Sequence, residues 1–176
     1  MVEVSILKLG YSNEKILTLQ PPNKWRLLKR KVLLMRAFLL ISVFFSSVSS
    51  WAVISISSIV ELQKIGNDPG YPLDEEYELT QDIDATDTQY WNGGKGFIPI
   101  GNSTNSFKGK FNGKGFRVIN LYISRADEDN VGLFGHTWGL SEISSLALEN
   151  VYILGRNQVG GIVGFNCSNI IDCHCT

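Results

Sequence analysis

Cys167, Cys173, His174 and Cys175 lie within nine residues near the end of this chain, and thiolate and imidazole are the donors zinc prefers. Their order, Cys-x5-Cys-His-Cys, lacks the paired Cys-x2-Cys geometry of a zinc site. Adjacent residues of a strand also point to opposite faces. For an exported chain, one disulfide with a leftover thiol is the alternative to free, buried cysteines. The second histidine, His136, follows Gly135 where a chain corner is expected, and reads as a solvated turn residue. Neither histidine sits in a nucleophile motif, and no His-Glu-x-x-His pair occurs.

Asp82, Asp84 and Asp87 offer carboxylates that could hold Ca²⁺, but without the glycine and closing glutamate of a calcium loop they read as a solvated strand edge. Paired carboxylates could also serve glycoside cleavage, and parallel β-helices host polyuronate lyases and glycosidases; fold alone does not confer that activity. Asp127-Glu128-Asp129 reads as a solvated loop tip. Tyr90, Trp91 and Trp138 suit either stacking on sugars or filling corners. Asn102-Ser-Thr104 and Asn166-Cys-Ser168 match the short glycosylation sequon. None of these residues is assigned a catalytic, cofactor-binding or metal-binding role.

Charge divides the chain. Residues 1–36 hold eight of the 16 Lys and Arg but only Glu3 and Glu14 among the acids, leaving the remainder with a net charge of −7. A nucleic-acid partner needs a basic surface, and the body of the chain has the opposite sign. The basic cluster abuts an apolar run. From Met35 it reads as an export signal over 35–52: Met35-Arg36, the apolar core Ala37–Phe45, and small residues up to a cut after Ala52. Residues 1–34 then read as an upstream extension or a long basic leader. The alternative is an uncleaved anchor over 32–54, close to the roughly 20 residues that span a bilayer. Membrane contact is expected only there.

Past Ala52 the patterning changes twice. Ile59, Leu62 and Ile65 share one helical face, with Ser57 or Ser58 as N-cap and Gly66 as terminator, so 53–66 is expected to carry a short capping helix. From Tyr77 the period falls to two, with Tyr77, Leu79, Gln81 and Ile83 forming one half-buried strand. Phe97–Gly101 reads as a short strand, and Asn112-Gly113 as a turn after Phe107 and Phe111.

Val131-Gly-Leu-Phe-Gly135 returns 28 residues later as Val159-Gly-Gly-Ile-Val-Gly164. The apolar strands at Val118, Ile143 and Ile170 are 25 and 27 residues apart and read as equivalent positions. A fixed period of this length is the mark of a solenoid. Short strands that cannot bury a face alone can coil into a parallel β-helix over 67–176, stacking at about 4.8 Å with glycines at the corners. A β-sandwich fits the regular period less well. The helix then covers the first open edge.

At these residues the chain resembles the GLUG-repeat proteins, large exported bacterial and archaeal chains. The resemblance rests on Gln158-Val-Gly-Gly-Ile-Val-Gly-Phe-Asn166 with Ile170-Ile-Asp-Cys173, and on Ile59–Gly66, Tyr77–Ala85, Phe97–Gly101 and Phe107–Gly115. It implies an all-β, right-handed parallel β-helix with Cys173 as a small inward residue, from which this sequence departs in reading as broken off inside a repeat. It also implies a cell-surface adhesion or scaffold role, with a surface glycan or protein as ligand. GLUG repeats also occur beside immunoglobulin-A-cleaving metallopeptidase domains, but the repeat brings no catalytic residue. The first unit departs from the pattern, since Gly132-Leu-Phe-Gly135 lacks the doubled glycine. The competing expectation is the opening part of a carbohydrate-active β-helix enzyme.

Overall fold

A computed structural model describes residues 52–176. The expected signal over 35–52 and the extension over 1–34 fall outside the described residues, except for Ala52. Among the described residues no helix is long and apolar enough to cross a membrane.

The strands are β1 (Ile54–Ile56), β2 (Glu76–Leu79), β3 (Ile83–Asp84), β4 (Lys110–Asn112), β5 (Arg117–Ile119), β6 (Tyr122–Val131), β7 (Phe134–Ser144), β8 (Ala147–Glu149), β9 (Tyr152–Val159), β10 (Val163–Ile171) and β11 (His174–Cys175). They stack into three parallel sheets, ordered β1-β2-β4-β7-β10, β3-β5-β8-β11 and β6-β9. The coils β4-β5-β6 and β7-β8-β9 give one strand to every sheet, and about three coils make the parallel β-solenoid.

Register turns the period-two pattern into inward ladders. Ile54, Tyr77, Phe111, Ile143 and Ile170 stack in the first sheet, and Ile83, Val118, Leu148 and Cys175 in the second. Their middle members are fully buried, each contributing about 1.5–3 kcal/mol before conformational entropy is charged. Phe134 joins the coils by packing against Phe107 at 5.0 Å and Phe111 at 5.3 Å between ring centroids.

The repeat is real, but its parts pair differently from expectation. Val131 does face Val159 and Ile143 does face Ile170, while Val118 faces Leu148, so Val118 and Ile143 are not equivalent. With three strands per coil, a period alone cannot say which apolar run is whose partner. The doubled glycine inserts one residue, so that Phe134 faces Val163.

The corners also differ. Left-handed backbone falls on Lys114, Ser145 and Asp172 at one corner, Asn120 and Asn150 at a second, and Asn130 and Gln158 at a third. The glycines of the repeat answer another need. A Cβ on Gly132 would sit 2.6 Å from the Gly160 carbonyl oxygen, and one on Gly164 2.6 Å from the Val131 nitrogen. They allow coils to approach, and most corners are turned by polar residues.

The helix α1 (Ile59–Lys64) forms as its pattern predicts. Ser58 Oγ accepts from the Glu61 amide at 3.3 Å, and the Glu61 carboxylate accepts from the Ser57 amide at 2.7 Å. That second bond above all holds the Glu61 carboxyl below its usual range. Ile59, Leu62 and Ile65 are buried in the core, and Gly66, at φ +78°, ends the turn. Gln63 pairs with the backbone of Ile98 like a strand residue, accepting at 2.8 Å and donating at 3.0 Å. The expected strand from Tyr77 to Ile83 is broken by a corner into β2 and β3, and the expected strand Phe97–Gly101 makes only a single bridge from Ile100 to Phe134.

Candidate functional site

Of the carboxylates singled out in the sequence, Asp82, Asp84 and Asp129 are engaged within the fold. Asp82 accepts from Arg117 Nε at 3.0 Å, and Arg117 reaches Glu149 on the next coil at 2.9 Å. The Arg117 bonds hold the Asp82 carboxyl below its ordinary range; bonds from Thr86, with a smaller one from Asn120, do the same for Asp84. Asp127-Glu128-Asp129 is not a loop tip but part of β6. Asp129 there accepts from Arg156 on β9 at 2.8 Å.

Asn120 and Asn150 form a corner ladder, with Asn150 Nδ2 donating to Asn120 Oδ1 at 2.6 Å and Asn120 Nδ2 donating to Thr86 Oγ1 at 2.9 Å. Tyr122 and Tyr152 stack beside it at 4.8 Å, nearly parallel. Sequence reasoning missed this ladder. Its signal was the recurrence of Asn ahead of the Leu121 and Val151 steps, 30 residues apart.

All three cysteines are free thiols. Cys173 packs partly buried against the core, as an inward small residue should, and burial pushes its thiol up. Cys167 and Cys175 are exposed. Among the described residues no group of three or more His, Cys, Asp or Glu could hold a metal ion. Trp91 is half-buried against the core, whereas Tyr90 stays exposed. Asn102 lies in an exposed turn where its Oδ1 accepts from the Thr104 and Asn105 amides. Asn166 instead accepts from Thr137 Oγ1 at 2.8 Å.

His136 overturns its expectation as a solvated turn residue. It lies in β7, only 9% exposed, its ring stacked on Phe165 at 4.6 Å and on Trp138 at 6.2 Å. Its Nδ1 is buried and makes no hydrogen bond. Between Trp138 and Glu142 the ladder with β10 is interrupted, because three residues on β7 oppose Ser168 alone. Such a bulge re-aims side chains, and here Trp138 is 54% exposed and Leu140 96%. Beside this platform is a cleft of about 300 Å³ lined by Ser103, Thr104, Ser106, Lys108, His136 and Trp138. The Phe107–Thr137 bridge sets Lys108 alongside Trp138 on the neighbouring coil.

Fold and site together define a parallel β-solenoid in which Asp82, Asp84 and Asp129 are tied into coil-to-coil contacts and the exposed Trp138 borders a hydroxyl-rich cleft. No family model matches the chain, and no solved structure matches it. It is similar to Halomucin of Haloquadratum walsbyi, 40% identical over 110 residues, covering 61% of this chain and 1% of that protein. It is also similar to a putative Gly-rich membrane protein of Evansella cellulosilytica, 37% identical over 94 residues, covering 51% of this chain and 11% of that protein. The chain thus spans a small part of the curated relatives it matches.

Proposed function

We propose that this chain is an exported, non-catalytic β-solenoid of the GLUG-repeat kind, serving as a cell-surface scaffold or adhesion segment. One observation carries the reading: the carboxylates best placed for chemistry, Asp82, Asp84 and Asp129, are spent on bonds that join one coil to the next. Such a molecule holds a surface in place. The Evansella relative is named as a membrane protein, which supports placement at the cell envelope.

The test is protease shaving of intact cells that make the full chain, together with incubation of the purified full chain with pectate, alginate and chitin. The expected result is a chain lost on shaving and no reducing ends released from any polymer. A chain recovered only from the cytosol, or one that depolymerises a polysaccharide, overturns the reading.

A further inference from the structure

We propose that the cleft between Lys108 and Trp138 binds an anionic saccharide, of the hexuronate type, with the sugar ring lying on the indole and its carboxylate meeting the lysine ammonium. This deepens the reading of the chain as a surface binding segment and rests on it.

Charge supplies the first argument. The described residues contain eight Lys and Arg. Lys95, Lys110, Lys114, Arg117, Arg125 and Arg156 each pair with a carboxylate. Lys64 lies over the Tyr71 ring at 5.2 Å. Among the described residues Lys108 alone has neither kind of partner. In a body with a net charge of −7 an unpaired cation is unexpected, and none of the six residues lining the cleft with Trp138 is acidic, whereas Asp68 and Asp74 line the adjoining cleft that Lys108 also borders. The site is a local exception to the sign of its surroundings.

Shape supplies the second. An exposed indole beside hydroxyls matches the two faces of a sugar, whose C–H groups lie on an aromatic plane while its hydroxyls bond sideways. The Trp138 ring is backed by His136, which in turn stacks on Phe165. Ser103, Thr104 and Ser106 supply hydroxyl donors and acceptors. The Nδ1 of His136, whose ring lines the cleft, is buried without a hydrogen-bond partner. The β7 bulge that exposes Trp138 and Leu140 would be wasteful in a coil whose only task was stacking.

The test is calorimetric titration of the full chain with trigalacturonate and with its methyl ester, which keeps the ring and removes the charge. The wild type is expected to bind the acid about tenfold tighter than the ester, since a charge-assisted bond exceeds a neutral one. Lys108→Gln should abolish that preference while retaining weak ester binding. Trp138→Ala should weaken both ligands several-fold. Both sites are exposed, and an unchanged circular dichroism spectrum checks the fold. Absence of wild-type binding at millimolar ligand, equal affinity for acid and ester, or a preference that survives Lys108→Gln each overturns the proposal. None of those results touches the protease-shaving outcome, so the cleft can fail while the surface reading stands.

Discussion

Asn120 serves two coils with one side chain and turns a corner with its backbone. At φ +62° it occupies left-handed space that most L-residues avoid but Asn tolerates. Its amide donates to Thr86 on one side and accepts from Asn150 on the other. The two contributions separate experimentally. Asn120→Gly keeps the backbone at ease and removes both bonds, and should cost about 1–2 kcal/mol. Asn120→Ala adds the strain of a positive φ, and should cost about 1 kcal/mol more. Urea unfolding of both variants checks the order, and Ala equal to Gly would sink the strain argument. Asp129 carries a different signature. Hydrogen bonds from Arg156, then Asn157, lower its carboxyl to about 2. A carboxylate depressed on folding stabilises in full above its unfolded value near 3.9, and that contribution is lost as pH falls through about 2. An NMR titration should place the Asp129 midpoint near 2, and Arg156→Gln should move it upward.

At the scale of elements, α1 and the sheets were legible to different degrees. The helix stood out because its cap, apolar face and terminator all lie within Ser58–Gly66, a stretch that one local pattern governs. The break between β2 and β3 did not, because alternation runs on through Tyr77, Leu79, Gln81 and Ile83 while the chain turns a corner. Nor did the pairing of Val118 with Leu148, which register sets and composition does not. The same limit hid the cleft: Trp138 was visible as an aromatic, but Lys108 becomes its neighbour only through a bridge between residues 30 apart. The Gln63–Ile98 pairing was equally hidden, and it predicts how the helix closes the first coil. Gln63→Leu should cost about 0.5–1.5 kcal/mol, with water able to reach the half-exposed Ile98 backbone. Amide exchange at Ile98 should accelerate while exchange at Phe111 does not. Equal acceleration at both would mean that the helix is held by its apolar face alone.

For the described molecule as a whole, the two ends are built differently. At the first, β1 is only three residues long, and α1 buries Ile59 and Leu62 beside it. Short edge strands and covering helices are standard protection against edge-to-edge pairing. At the other end β10 runs nine residues, Val163–Ile171, without a charged side chain, and among the described residues it pairs on one side only. Ile170 and Ile171 are 40% and 44% exposed there. Ile170 extends the ladder of Tyr77, Phe111 and Ile143, so its neighbour Ile171 points outward. A long edge with exposed isoleucines and no lysine offers both backbone groups and apolar surface to another strand. A polypeptide that stops at Thr176 leaves this edge uncovered and is expected to self-associate as its concentration rises, with sedimentation velocity reporting the change. Ile171→Lys places a charge on that edge without entering the core, so folding stability should change by no more than about 0.5 kcal/mol. Two such edges brought together would oppose like charges, and association should weaken at least about tenfold. Ser55→Lys, on the short edge of β1, should leave association unchanged. Were the two lysines to act alike, association would not run through β10.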